Sequence, residues 1–268
     1  LKLQIVELKG LRAFEKAKLR PPVSVTSRLH AEVQVKDILP DADGTWRIPA
    51  SPGCPPVSVR AVEMRHTVPT VGWILTEEPR PGKLRVELIK PLLKAHGIPL
   101  SQLAKFKLEG VPIRLSNGEE LQPSSFQGPP TQRKLVVLSD TEDASLAEPY
   151  AQGADIVVHE ATNAWTSLDQ AKGAKKEEVE ARTRAHGHST PQMAGAFAHA
   201  IGARKLALTH FSSRYSGSKQ IQAVQIMDEI VRLAREKFEG DVVTARDCMR
   251  ITIYPDGSTG FSEVSPIS

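Results

Sequence analysis

The chain has 268 residues, 40% hydrophobic and 25% charged, so it can bury a core without disulfide or metal staples. No apolar run approaches the ~18 residues of a membrane span, and two distant cysteines, Cys54 and Cys248, exclude a disulfide framework and a Cys-x-x-Cys metal pair, which favours an intracellular setting. Lys and Arg number 35 against 31 for Asp and Glu, a mildly basic balance that permits a polyanionic partner without requiring one.

In chain order, Leu1–Leu8 alternates as a strand and Gly10–Leu19 reads as a short helix. His30–Val35, Val57–Met64 and Thr70–Thr76 read as further strands, with a Pro- and Gly-rich loop over Pro40–Pro56. Residues 77–120 read as an inserted basic arm with few large apolar side chains. A short helix over Val86–His96 is interrupted there by Pro91. The arm's charge, Lys105 and Lys107 included, suits a solvated surface or a nucleic-acid contact equally. From Lys134 the pattern becomes α/β: strand Lys134–Leu138, a helix near Ala144–Gln152, strand Asp155–His159, then a long polar loop. Ser189-Thr190-Pro191 starts a helix, with a hydroxyl cap and Pro in the first turn. Strand Lys205–Thr209 follows, then an amphipathic helix over about Lys219–Phe238 with Ile221 on its apolar face. Strands near Val242–Thr244 and Met249–Tyr254 close the chain, which reads as one partial domain.

Polar groups recur where strands end. His66, Asp140, Glu160 and His210 each follow an apolar run, and a rigid strand tip holds a ligand or proton donor at fixed geometry. Singly, each is a structural residue by default; the recurrence points to one shared site. The Asp140 carboxylate could bridge two metals. Glu160 could orient His188 for proton transfer, and a plain capping histidine explains His188 equally well. His30, His96 and His199 read as surface or packing residues.

These segments together resemble a known family. His66-Thr-Val-Pro-Thr-Val-Gly-Trp, Ser139-Asp140-Thr141, Val158-His-Glu160-Ala-Thr, His186-Gly-His188-Ser-Thr and Leu208-Thr-His210-Phe-Ser-Ser-Arg214-Tyr are similar, in order and spacing, to RNase Z, the tRNA 3′-processing endonuclease of the metallo-β-lactamase superfamily. The resemblance implies an αββα sandwich of the α/β class and two zinc ions. It makes His66, Asp140 and His210 metal ligands, with Asp140 bridging. It makes Glu160 and His188 the proton-donating pair, and residues 81–107 the arm that grips tRNA. Arg214, Lys105 and Lys107 become candidate nucleic-acid contacts.

Three departures accompany it. The family's His-x-His-x-Asp-His motif does not occur in this sequence, and the chain begins on Leu rather than Met, so about the first third of the fold is expected to be missing. The arm lacks the family's Gly-Pro pair, and Ser139 stands where Gly is usual. Two ligands per zinc, one of them shared, fall short of the three that catalytic zinc takes from protein. The chain alone is therefore expected not to cleave RNA unless the motif is supplied upstream or in trans. The alternative is an inactive RNase Z-like subunit with a structural or RNA-binding role in a ribonucleoprotein, such as an organellar ribosome or its assembly intermediate, with the mitochondrion as one compartment that would suit it. A hydrolase of small phosphodiesters or esters is the weakest reading. RNA is the expected partner, together with a protein covering the strand edge at Leu3–Glu7, or a second copy; no membrane is expected.

Overall fold

The computed structural model describes residues 2–8, 32–48, 57–218, 220–247, 249–254 and 258–263. The expected helix over Gly10–Leu19, together with His30, Cys54 and Cys248, lies outside them. The chain forms two compact units: Leu1–Glu77 with Arg133–Tyr254 and Ser258–Ser268, and Glu78–Gln132 with Pro255–Gly257.

In the larger unit β1 (Lys2–Leu8) pairs in parallel with β2 (Glu32–Ile38), which begins two residues later than expected. β3 (Trp46–Ile48), β4 (Val57–Met64) and β5 (Thr70–Glu77) form an antiparallel meander. β3 falls inside the stretch expected to be loop, because Trp46 is buried against Ala61 of β4 and draws the segment onto the sheet.

The smaller unit holds α1 (Val86–Ala95), α2 (Gln102–Leu108) and a hairpin of β6 (Ile113–Arg114) and β7 (Glu120–Leu121). Its chain runs to Gln132, beyond the arm's expected end. It is not poor in apolar side chains: Ile89, Leu93, Phe106, Ile113, Leu115 and Leu121 form its own core. Pro91 removes one backbone donor from α1 but does not end it, since Ile89 and Leu93 stay buried one turn apart on either side.

The larger unit resumes with β8 (Lys134–Val137), α3 (Glu148–Ala151), β9 (Ile156–Glu160), α4 (Ser167–Gln170), α5 (Lys176–Ala185), α6 (Pro191–Ala200), β10 (Lys205–Thr209), α7 (Ile221–Arg235), β11 (Asp241–Thr244), β12 (Met249–Ile253) and β13 (Thr259–Glu263). The long polar loop expected after β9 therefore contains two helices. α5 escapes a periodicity reading because only Val179 and Thr183, a single turn apart, are buried.

One seven-stranded sheet, in the order β11-β10-β9-β8-β5-β4-β3, organises the larger unit. β8 to β11 are mutually parallel and the rest antiparallel. β9 and β10 are buried almost throughout, which accounts for their unbroken Val, Ile, Leu and Ala runs. α6 and α7 bring Phe197, Ala198, Ile201, Ile226, Ile230 and Leu233 into the core that Val136, Val157, Leu206 and Leu208 share. Thr190 caps α6 by accepting from the Met193 N–H at 3.4 Å. A Cβ on Gly195 would lie 2.3 Å from the Ala234 carbonyl oxygen, so α6 meets α7 at backbone contact there. Ile221, expected on the buried face of α7, is 75% exposed because it opens the helix; Ile226 and Leu233 take the face instead.

Candidate active site

Strand direction assembles the site. β4 is antiparallel to β5, and β5 to β8, so β4 runs the same way as β8, β9 and β10. All four end on one edge of the sheet, where open α/β sheets carry their ligands. His66 lies just past β4, Asp140 past β8, Glu160 at the tip of β9 and His210 directly after β10.

The Asp140 carboxylate sits between two imidazoles. Its Oδ2 is 3.9 Å from His66 Nε2, and its Oδ1 is 3.4 Å from His210 Nε2. The Asp140 loop is tied to the end of β4: the Glu142 N–H donates to the Arg65 carbonyl at 2.8 Å, and the Thr141 hydroxyl donates to the same oxygen at 3.1 Å. An Arg65–Asp143 ion pair at 2.8 Å closes the same junction. Burial works against the Asp143 charge, but the Ser145 N–H and the Arg65 guanidinium outweigh it and hold that carboxyl below its ordinary value.

Glu160 is fully buried and its two oxygens are saturated. Oε1 accepts from the Thr141 N–H at 2.7 Å and from His188 Nδ1 at 3.0 Å. Oε2 accepts from the Thr162 hydroxyl at 2.5 Å and its N–H at 3.3 Å. His188 is thus oriented by a carboxylate at one ring nitrogen, leaving Nε2 for another partner. Its ring lies between those of His66 and His210, with centroids 5.0 and 5.3 Å away. The ligand atoms of His66, Asp140 and His188 lie within 4.8 Å of one another, as do those of Glu160, His188 and His210.

Five residues that the sequence singled out therefore meet in one place. Two that it did not single out complete the arrangement. Gly187 accepts from His66 Nδ1 at 2.7 Å, and Thr162 contacts His210 Nδ1 at 2.8 Å. Gly187 precedes His188 and Thr162 lies two residues after Glu160, so both fall within segments that carry the resemblance without being marked for a role of their own. Arg214 is engaged within the larger unit: it reaches Asp169 at 2.6 and 2.9 Å, the Ala164 carbonyl at 2.6 Å and the Tyr215 hydroxyl at 2.6 Å. Lys105 and Lys107 lie on α2 of the smaller unit, both exposed, flanking buried Phe106. His159 is buried beside Phe197 and donates to the Glu160 carbonyl at 2.7 Å. Burial pushes its imidazole down in proton affinity, which marks it as a neutral packing residue. His96 contacts the Ser116 hydroxyl at 2.7 Å and His199 is exposed, in keeping with surface roles.

Known sequences carry the same segments. The chain is 32% identical to "Ribonuclease Z" of Halorubrum lacusprofundi over 200 residues, 74% of this chain and 57% of the relative. It is 32% identical to "Ribonuclease Z" of Halalkalibacterium halodurans over 186 residues, 69% and 52% respectively. It is 35% identical to human "Zinc phosphodiesterase ELAC protein 1" over 162 residues, 59% and 40%. The chain is similar to ribonuclease Z proteins over most of its length. It spans about half the length of the curated relatives it matches. No protein-family model matches it. Among solved structures, human tRNase Z, short form, aligns over 92% of this chain and 66% of that one at 19% identity, with a TM-score of 0.44.

The described residues form an α/β fold, a seven-stranded sheet with α6 and α7 packed into its core. Ser139, where the family usually carries Gly, is accommodated without a left-handed backbone, and its hydroxyl donates to the Val71 carbonyl at 2.6 Å. The donor set suits a divalent cation. His66 donates through Nδ1 to the Gly187 carbonyl, and the neutral ring so bonded presents an Nε2 lone pair to the Asp140 carboxylate. Two acceptors facing each other call for a cation between them, and imidazole with carboxylate is a zinc-type pair. His66 with Asp140, and Asp140 with His210, would supply two ligands on each side, one short of the three typical of catalytic zinc.

Proposed function

We propose that this protein acts as a zinc-dependent phosphodiesterase of the ribonuclease Z type on tRNA precursors, with metal ligands beyond His66, Asp140 and His210 contributed from outside the described residues. The observation that carries the reading is the meeting of those three side chains with the Glu160–His188 pair at one sheet edge. Zinc there would supply an activated hydroxide and offset charge on the phosphoryl oxygens. Among the chain's own residues, Glu160 holds His188 through Nδ1; as the imidazolium, His188 would hand its Nε2 proton to the leaving oxygen as the P–O bond breaks and be left neutral. Exposed Lys105 and Lys107 suit phosphate contacts, which would place RNA binding on the smaller unit. Arg214, already matched by Asp169, is better suited to fixing the loop after β10 than to reaching RNA.

The missing ligands could come from an upstream segment of a longer chain or from a partner protein. Zinc content and cleavage of a tRNA precursor with a 3′ trailer, measured on the longest native form, test this. His188→Ala should then lower the cleavage rate by about 10²–10⁴ with zinc retained. A zinc-free native form without cleavage would sink the enzymatic reading. It would favour the second one, a non-catalytic RNA-binding subunit of a ribonucleoprotein, which the two-ligand count supports.

A further inference from the structure

His210 is the only non-glycine residue with a positive φ, 56°, among the described residues. An L-residue resists that conformation unless its surroundings hold it there. The surroundings that meet His210 belong mostly to Thr162. The Thr162 hydroxyl lies 3.1 Å from the His210 carbonyl oxygen and 2.8 Å from its ring Nδ1. The Thr162 carbonyl accepts from the Ser212 N–H at 2.9 Å, just beyond the strained residue.

A hydroxyl has one proton, and here its destination can be deduced. Glu160 Oε2, 2.5 Å away, is a carboxylate oxygen and only accepts; the His210 carbonyl also only accepts; His188 Nδ1, 3.4 Å away, gives its own proton to Glu160 Oε1 at 3.0 Å. The Thr162 proton belongs to the shortest of these contacts. The 2.8 Å contact with Nδ1 then needs a proton from the ring itself. His210 is thereby held as the Nδ1–H tautomer, with the Nε2 lone pair turned toward Asp140, 3.4 Å away.

We propose that Thr162 is the positioning residue of His210: its hydroxyl, donating to Glu160 and accepting from Nδ1–H, sets both the tautomer and the orientation of that imidazole. Through this one oxygen the proton-transfer pair and the metal-facing histidine share a single hydrogen-bond chain. The use made of the freed Nε2 rests on the phosphodiesterase reading above; the tautomer does not.

The test is a long-range proton–nitrogen correlation spectrum of the metal-stripped protein, labelled with ¹⁵N at histidine. His210→Gln identifies the His210 signals. His66, whose Nδ1 faces a carbonyl, is the internal reference. Wild type and Thr162→Ser should show His210 as Nδ1–H, and Thr162→Val should shift it to Nε2–H while His66 keeps its pattern. A wild-type His210 already in the Nε2–H form overturns the proposal, even if the Val variant does not fold. So does a folded Val variant with His210 unchanged, or one in which His66 changes along with it. The readout needs neither zinc nor RNA. A protein that cleaves no tRNA precursor yet gives the expected pattern refutes the enzymatic reading alone. An active protein without the pattern refutes this proposal alone.

Discussion

His66 and Gly187, far apart in sequence, are joined by a 2.7 Å hydrogen bond from the imidazole Nδ1 to the glycine carbonyl. The glycine is needed there twice over. Its φ is +77°, and a Cβ would lie 2.5 Å from His66 Nδ1 and 3.0 Å from the Thr67 nitrogen. Gly187→Ala should therefore cost about 1–3 kcal/mol, combining the left-handed penalty with displacement of His66. Urea unfolding checks it, and an unchanged midpoint would show that the loop relaxes freely.

Asp140 lies between two histidines, His66 at 3.9 Å and His210 at 3.4 Å. Zinc should raise the thermal midpoint of unfolding in a concentration-dependent way, as any ligand of the folded state does. EDTA should reverse the rise, and Asp140→Ala should abolish it. An equal rise in that variant would place the ion elsewhere.

The contact between α6 and α7 has no room for a methyl group. The Gly195→Ala side chain would meet the Ala234 carbonyl at 2.3 Å, so the helices must part. Ala is the better helix former by ~1 kcal/mol, yet overpacking should win and destabilise by about 1–3 kcal/mol. A more stable variant would mean that the interface yields.

Arg214, Asp169 and Tyr215 tie the loops after β9 and β10 together. Burial alone would raise the Asp169 carboxyl, but the Arg214 and Thr166 hydrogen bonds and the Arg214 charge prevail and lower it. A carboxyl lowered by folding adds stability above its unfolded value, about 4, and that stability fades as pH falls through the lower folded value. Asp169→Asn should thus be less stable than wild type at pH 7, with the gap narrowing below about pH 4. A gap independent of pH would assign the loss to packing. Arg214→Met, which strands the buried carboxylate, should cost about 3 kcal/mol at neutral pH.

The strand-tip residues were legible because an apolar run that stops at a polar side chain is a one-dimensional signal. β10 has the bounds its sequence indicates, and His210 follows it directly. What escaped depends on partners distant in the chain. Trp46 makes β3 by packing on Ala61, and Val179 and Thr183 alone cannot announce α5. The core of the smaller unit draws on two helices and a hairpin, so no single window shows its apolar pattern. Thr162 and Gly187 lie within the quoted motifs, but they act through a hydroxyl and a backbone carbonyl, whose partners a sequence does not show.

The common direction of β4, β8, β9 and β10 also bears on how the protein comes to be folded. The site draws on residues from His66 to His210, and no contiguous fragment contains it without most of the seven-stranded sheet. Parallel pairings such as β8 with β9 and β9 with β10 join segments distant in sequence and close slowly. The His210 tautomer should consequently reach its final form only in the last kinetic phase of refolding, making that ring a reporter of when the sheet edge is finished.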